Sequence, residues 1–359
     1  MATISDSTNL KTTTRAARPR ADEYPAGGPA FDWAAVLLAG WFLAGLYLDG
    51  WAHNNLPGEF ETFFTPWHGV LYSGFLAVST FLIYHQARNV LKGYSFTRAL
   101  PPGYWLSLVG IAIFGFGGGF DFVWHSVFGF EEDIEALLSP AHMVLATGGV
   151  LFATGPLRAA WGRSSEAAKS GWASLAPALI SLFYVLSVLT FFTQYMHFIT
   201  TPYVLVERPR ADTFYRDLFG VTSVLLPTIL LMGTLLFAAR RWTLPVGTVA
   251  ILWGGNTLLM FMMDYRDSFE VPALIVAALI GSLLAEGLFV WLKPSAERLG
   301  ALRAFAFLTP VILFLAYFVA LLTTAGTWWT IHMWLGVTIN AGIAGLLVSY
   351  LVFPPRASP

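Results

Sequence analysis

Ten long apolar stretches divide this chain, and they constrain its fold more than any other feature of the sequence. Each has about twenty residues, the length at which an α-helix crosses the ~30 Å hydrocarbon core of a bilayer. The chain is therefore predicted to be an all-α, polytopic transmembrane helical bundle of about ten helices, arranged as five repeated hairpins. The predicted spans are 32–53, 66–86, 104–127, 140–161, 172–198, 217–239, 244–264, 271–292, 303–324 and 329–352.

The composition favours a lipid environment and excludes several kinds of site. Of the 359 residues, 56% are hydrophobic and only 11% are charged, far from the balance of soluble proteins. A net charge of −1 gives no general attraction to nucleic acid. Because the chain has no cysteine, iron–sulfur clusters and thiolate-bound zinc are excluded, and any metal must be held by histidine, carboxylate or methionine side chains.

The chain is predicted to form a single transmembrane domain, residues 31–353, between two short tails. Residues 1–30 are rich in Thr, Ala, Arg and Pro and lack the apolar core of a signal peptide, which predicts a disordered cytoplasmic tail. Residues 354–359 are predicted to form a second short cytoplasmic tail. The longest outer connection, roughly residues 199–216, is too short to bury a core of its own.

The distribution of charge predicts the orientation in the membrane. All but four of the 20 basic residues lie in the tails or in the connections after even-numbered helices. By the positive-inside rule these parts face the cytoplasm, so a multi-pass cell-membrane protein with both termini inside is predicted. Acidic residues favour the opposite side, including Asp49, Asp121 and the run from Glu131 to Glu135, so the outer face is predicted to be acidic.

Two hairpins, residues 32–86 and 104–161, contain the same pattern of ionisable residues and are interpreted as an internal repeat. In each, an Asp and a His four residues apart end the first helix, and a Glu follows five residues before a proline. That proline comes directly after a Thr or Ser, and a second His stands two residues beyond it. The residues, in chain order, are Asp49, His53, Glu61 and His68 in the first copy and Asp121, His125, Glu135 and His142 in the second.

This spacing is expected to bring the side chains together. Residues four apart share one face of a helix, and a hydroxyl residue before proline is the expected N-cap of a helix. Each hairpin should therefore place its Asp and both histidines at one depth near the outer surface. Six of the seven histidines map near outer helix ends, and only His85 maps to the inner side. The later hairpins keep the layout only loosely, with Gln194, His197 and His332.

Asp with two His is a facial ligand set that suits copper or iron, with zinc and manganese as alternatives, and it leaves coordination positions open. Two such sets predict either two mononuclear sites or one dinuclear site. Glu61 and Glu135 are expected to bridge the metals or to orient the imidazoles. His197 and His332 are candidates for additional ligands or acid–base groups. The competing interpretation is a hydrogen-bonded polar belt at the membrane surface.

The Asp-x3-His…His arrangement at a helix end resembles the membrane metal site in the third subunit of particulate methane and ammonia monooxygenases. The resemblance covers a ligand pattern of about twenty residues, which occurs twice in this chain. It implies that the matching positions are metal ligands. These positions are Asp49, His53 and His68, and again Asp121, His125 and His142.

The leading functional hypothesis is a membrane metalloprotein that oxidises a lipophilic molecule entering from the bilayer. No flavin or nicotinamide motif is present, so such a reaction requires a separate electron donor, and the chain is then expected to act as an oligomer or as a subunit of a complex. One alternative is a transporter in which Asp49, Asp121, Asp264 and Glu286 form cation or proton steps. Haem-mediated electron transfer, with His68 and His142 as axial ligands, and zinc-dependent hydrolysis are further alternatives.

Overall fold

A computed structural model gives the fold of this protein. Within the part of the chain that it describes, the protein is helical apart from short connections and contains no β-strand, so the predicted all-α class is confirmed. An isolated bridge pairs Leu205 with Thr327. The described residues are 19–20, 22–56, 64–129, 131, 133–163, 171–205, 213–263 and 272–355.

Twelve α-helices are described, and the first residue of several is proline, which has no N–H to lose at that position. A π-helical segment, Ala250–Gly255, leads directly into the ninth helix. The helices are α1 Pro29–Asn55, α2 Pro66–Leu91, α3 Trp105–Phe128, α4 Asp133–Leu138, α5 Pro140–Ala153, α6 Gly155–Gly162, α7 Trp172–Phe192, α8 Thr213–Arg241, α9 Asn256–Met263, α10 Pro272–Leu292, α11 Leu299–Thr323 and α12 Ile331–Val352.

Eight helices in the described part of the chain are long and apolar enough to cross a membrane, namely α1, α2, α3, α7, α8, α10, α11 and α12. Helices α5 and α6 satisfy the same test together, but a bend of 42° separates them. The segment Ala250–Met263 is apolar but shorter. At 1.5 Å per residue it rises only ~21 Å, less than the hydrocarbon core. The chain is therefore a multi-pass membrane protein, and the count of ten crossings stays a prediction.

The bend between α5 and α6 is caused by a proline, and nearby side chains donate hydrogen bonds to the carbonyl groups that this proline leaves without a donor. Pro156 lacks an N–H and cannot continue the helical ladder, so carbonyl groups in the preceding turn lose their usual donor. Arg158 donates to the Leu151 carbonyl at 2.9 Å, and the Ser181 hydroxyl of α7 donates to the Ala153 carbonyl at 2.6 Å. The sequence predicted one span over residues 140–161, whereas the structure has two helices whose junction is held by side chains.

Glycines allow the helices of each candidate hairpin to approach closely. A Cβ atom at Gly74 of α2 would lie 2.6 Å from the Cα atom of Phe42 in α1. In the next hairpin, a Cβ atom at Gly110 of α3 would lie 2.6 Å from the backbone nitrogen of Phe152 in α5. Small residues at such crossings let backbones pack directly in membrane proteins. As a result, the end of one helix lies against the start of the next.

The first hairpin is anchored to the second half of the bundle by polar side chains of α1. The Tyr47 hydroxyl donates to the carbonyl of Ser187 in α7 at 2.9 Å. At the end of α1, Asn54 donates to the side-chain oxygen of Gln194 at 2.9 Å. Its neighbour Asn55 donates to the carbonyl of Met263 at 3.3 Å. These bonds fix the outer turns of α1, which carry the candidate ligands, relative to α7 and α9.

Glu286, which the transport hypothesis used as a proton or cation step, has a structural role in the fold. Its buried carboxylate accepts hydrogen bonds from the backbone N–H groups of Gly247, Val249 and Ala250 at 2.9, 2.9 and 3.1 Å. These donors belong to the first turn of the segment that leads into α9. The first N–H groups of a helix have no partner within the helix, and a carboxylate is their strongest acceptor.

We expect Gly74→Ala to destabilise the protein by about 1–3 kcal/mol, because the added methyl group would overlap the backbone of α1. The matched control is Gly233→Ala in α8, where nothing lies within 4 Å of the new atom. There the change should be neutral or stabilising by up to ~1 kcal/mol. Unfolding temperatures of the two variants in one detergent compare them directly. Equal temperatures would contradict the close approach of α1 and α2.

Candidate metal centre

The caps of α2 and α5 place one histidine of each hairpin. The Thr65 hydroxyl accepts a hydrogen bond from the His68 backbone N–H at 3.2 Å, and the Ser139 hydroxyl accepts one from the His142 N–H at 3.3 Å. A proline occupies the first helical position in both. The predicted helix starts are confirmed. Because each cap bonds the histidine's own backbone, it sets the position of that side chain in the first turn.

The first group of ligands, here called the α1–α2 site, consists of Asp49, His53 and His68. The Asp49 Oδ2 atom lies 3.5 Å from the His68 Nε2 atom and 3.9 Å from the His53 Nε2 atom. The centroids of the two imidazole rings are 6.2 Å apart. Asp49 and His68 are buried, whereas 29% of the His53 side chain is exposed.

The second group, here called the α3–α5 site, consists of Asp121, His125 and His142. The Asp121 Oδ1 atom lies 3.4 Å from the His125 Nε2 atom and 3.2 Å from the His142 Nε2 atom. The ring centroids are 5.7 Å apart. Only 3% of the Asp121 side chain is exposed, against 12% of that of Asp49.

The distances within each group match those between ligand atoms that share one metal ion. Nitrogen and oxygen atoms bind zinc at about 2.0–2.2 Å, so two such atoms are about 2.8–3.6 Å apart in octahedral or tetrahedral geometry. The separations of 3.2, 3.4 and 3.5 Å lie in this range, and the 3.9 Å between Asp49 and His53 slightly exceeds it. In each group, all candidate ligand atoms lie within 4.8 Å of one another. Each group could therefore hold one metal ion.

The buried carboxylates of both groups need a positively polarised partner, which is either a metal ion or the N–H groups of protonated imidazoles. In the described part of the chain, Asp49 Oδ1 accepts no hydrogen bond, whereas two Nε2 atoms lie within hydrogen-bond distance of Asp121 Oδ1. A buried acceptor without a donor costs roughly 1–3 kcal/mol, and more when it is charged. A metal ion between carboxylate and imidazoles would satisfy the oxygen of Asp121 directly.

Contacts on the far side of each imidazole orient the rings of the α3–α5 site. The His125 Nδ1 atom is 3.2 Å from the Gly129 carbonyl oxygen, and the His142 Nδ1 atom is hydrogen-bonded to the Ala136 carbonyl oxygen. A carbonyl accepts only, so each Nδ1 carries the proton and donates it. Each Nε2 atom then faces Asp121. Metal-binding histidines usually have their other ring nitrogen held in this way.

Glu131 is the acidic residue that the structure places beside the α3–α5 site. Its Oε2 atom lies 3.2 Å from His125 Nδ1, and only 12% of its side chain is exposed. Glu135 was expected to orient an imidazole of this site, but it lies exposed on the short helix α4. The sequence could have indicated Glu131 through its closeness along the chain, since it follows His125 by six residues. The corresponding candidate in the first hairpin, Glu61, lies outside the described residues, as does Asp264.

The two additional histidine candidates are not members of either group. His197 is 1% exposed, its Nδ1 atom accepts a hydrogen bond from the Ile199 N–H at 3.3 Å, and its ring stacks on Phe198. Its contacts therefore stabilise the connection after α7. His332 is exposed in the first turn of α12. Their expected roles as ligands or acid–base groups gain no support from these positions.

Tyr72 lies between the two sites. It stands one turn after His68 on α2, with the two ring centroids 6.3 Å apart. Its hydroxyl lies 3.2 Å from the point where a Cβ atom of Gly118 would be, on α3 one turn before Asp121. The charges of Asp49 and Asp121 both act on Tyr72, and that of Asp121 acts on Asp49. The two sites are thus electrostatic neighbours at the same end of the bundle.

The geometry favours small ions over haem. An axial haem ligand points its Nε2 atom at iron in the centre of a wide porphyrin ring. Here His68 and His142, the predicted axial pair, each direct Nε2 toward an Asp oxygen of their own hairpin, at 3.5 and 3.2 Å. A porphyrin at either position would overlap the neighbouring carboxylate.

Comparison with protein-family models, with curated proteins and with solved structures gave no match. The likeness to the monooxygenase subunit therefore stays at the level of the ligand pattern. The chain is an integral membrane helical protein with two His/Asp groups that could each hold a metal ion. The function of the chain is therefore inferred from the geometry of those groups.

We expect a divalent metal ion to stabilise the folded protein, because a ligand that binds only the folded state adds about 2.7 kcal/mol when its concentration is 100 times Kd. Removal of metal with a chelator should lower the unfolding temperature, and metal added back should restore it. In the double variant Asp49→Asn, Asp121→Asn the chelator should have little effect. Glu135→Gln, at an exposed carboxylate, is the control and should behave like the unchanged protein. A chelator effect of equal size in the double variant would contradict binding at these sites.

Proposed function

We propose that this membrane protein binds two transition-metal ions, one in each of its first two hairpins, and uses them to oxidise a lipophilic molecule. One observation carries the proposal. The Asp121 carboxylate is buried and lies 3.2 and 3.4 Å from two Nε2 atoms, so one carboxylate and two imidazoles converge on one point. A cation at this point would satisfy all three side chains.

The ligand set favours copper or iron, with zinc as the alternative. Two imidazoles and one carboxylate form three of the four to six bonds that these ions accept, so positions remain for water, oxygen or substrate. When bound there, copper or iron supplies the redox chemistry that activates oxygen. Electrons would come from a separate donor, since the chain has no flavin or nicotinamide motif. The protein's own residues would hold the ion and fix the imidazoles through Gly129, Ala136 and Glu131.

The surroundings of the α3–α5 site support a lipophilic substrate. The same helix that carries Asp121 and His125 presents an aromatic row to the outside of the bundle. Phe116 and Phe128, at the ends of this row, are each 70% exposed. Successive ring centroids along Phe116, Phe120, Trp124 and Phe128 lie 6.2, 5.7 and 4.6 Å apart. An apolar molecule in the bilayer would meet this surface at the depth of the ligands.

The proposal includes the orientation. Basic residues cluster at the helix ends opposite to the two sites, for example Arg88 and Lys92 after α2, and Arg240 and Arg241 in α8. With these ends in the cytoplasm, both termini are inside and the sites face the outer side. The complete arrangement would comprise ten helices in five hairpins, with α5 and α6 together and the segment 250–263 as two of them.

Metal content, measured by elemental mass spectrometry on detergent-purified protein, is the first test. We expect about two ions per chain, and none in the variant with His53, His68, His125 and His142 all changed to Ala. The matched control changes His85 and His332, which belong to neither site, and should keep its metal. Equal and negligible metal in all three proteins would overturn the proposal.

A second measurement tests the reaction. With copper or iron bound, we expect reductant-dependent oxygen consumption to rise when a lipophilic substrate such as a quinol or a medium-chain alkane is added, and the four-histidine variant to show no rise. Zinc alone, with hydrolysis of a lipid amide or ester, would replace oxidation by hydrolysis. Metal uptake into sealed liposomes without any product would instead favour transport.

A further inference from the structure

We infer that the two sites are not equivalent: the α3–α5 site holds a resident ion, and the α1–α2 site holds an ion that exchanges with the surroundings. This inference rests on the proposed metal binding and goes beyond it, because it assigns an order of filling and a different role to each site. Two features of the described residues distinguish the two groups: the spacing of their ligands and the exposure of His53.

The first feature is the spacing of the ligand atoms. In the α3–α5 site both Nε2 atoms lie 3.2–3.4 Å from the Asp121 oxygen, within the range of about 2.8–3.6 Å for atoms that share an ion. In the α1–α2 site His68 is within this range of Asp49, at 3.5 Å, but His53 is 3.9 Å away. His53 must therefore move inward to bind, whereas the α3–α5 ligands are already in place. Prior organisation of this kind raises affinity, since less freedom is lost on binding.

Burial is the second feature. The exposed fractions of the Asp and the i+4 His side chains are 3% and 7% in the α3–α5 site, against 12% and 29% in the α1–α2 site, whereas the second histidines have the opposite order, 22% for His142 and 10% for His68. An ion leaves a site by replacing protein ligands with water one at a time. His53, the most exposed ligand of either group, gives water and chelators a direct approach to the α1–α2 site, so its ion should exchange faster.

A neighbouring carboxylate further supports a resident ion in the α3–α5 site; its counterpart by spacing in the first hairpin, Glu59, lies outside the described residues. Glu131 adds a second carboxylate next to the α3–α5 site, 3.2 Å from His125, so that Asp121 and Glu131 together balance a divalent ion. Removal of such an outer partner typically lowers metal affinity by about 10–100-fold. Asp49 lies within electrostatic reach of Asp121 and His142. Once the α3–α5 site is filled, its ion therefore repels a second ion, and binding at the α1–α2 site becomes weaker.

These features together predict a division of roles. The resident ion would stay with the protein through purification, whereas the α1–α2 site would gain and lose its ion as the external concentration changes. A divalent cation is then both a fixed component of the protein and an exchangeable ligand at its surface.

Isotope exchange tests this assignment on the full-length chain in detergent. The protein is loaded with zinc of one isotope, diluted into a second isotope, and the bound isotopes are followed by mass spectrometry. We expect two kinetic phases of one ion each, with rates that differ at least tenfold. The variant His53→Ala, His68→Ala should keep only the slow phase, and the variant His125→Ala, His142→Ala should keep only the fast one.

Paired carboxylate variants add a control that does not remove a ligand. Glu131→Gln should speed up the slow phase by about tenfold, whereas Glu135→Gln, four residues further along at an exposed position, should leave both phases unchanged. A single phase for both ions, or loss of the slow phase in the His53, His68 variant, would overturn the inequivalence while leaving metal binding intact. Absence of bound zinc in every protein would overturn the proposed function as well.

Discussion

The need to compensate one buried charge, the carboxylate of Asp121, governs the rest of the candidate centre. A carboxylate moved out of water into an apolar interior is costly unless it is paired, and here the Nε2 atoms of two imidazoles approach it at 3.2 and 3.4 Å. A cation at ligand distance would satisfy the carboxylate and both nitrogens at once. The outer contacts at Gly129 and Ala136 orient the two imidazole rings so that their Nε2 atoms point inward.

Helix packing and helix capping place the ligand side chains of both sites. Glycine crossings bring the two helices of each hairpin into backbone contact, so a helix end and a helix start meet at one depth. Hydroxyl caps at Thr65 and Ser139 then set the first turn in which His68 and His142 lie. Bonds from α1 to α7 and α9 hold the first hairpin against the rest of the bundle. The ligands thus sit on rigid elements, which favours a defined coordination geometry.

Local rules explain which features could be predicted from the sequence. The positions of the apolar helices, the Thr-Pro and Ser-Pro starts, and the grouping of three ligands per hairpin all depend on residues that are neighbours in sequence or four apart on a helix. The proline that bends the span at residue 156 is visible in the sequence, but the Ser181 side chain that bonds to the Ala153 carbonyl comes from another helix. The contacts of Glu286 could not be predicted either, since its three N–H partners lie nearly forty residues away.

The amino-acid sequence by itself determined that the protein belongs in a membrane, that it is built of helices, and which six side chains could form two sites. Hydrophobic length, helical periodicity and capping are local properties, and they suffice for that. Only the tertiary structure decided which acidic residue stands beside His125, how deeply each site is buried, and that His197 and His332 lie outside both sites. Those facts depend on how the hairpins and connections pack in space, which no spacing along the chain specifies.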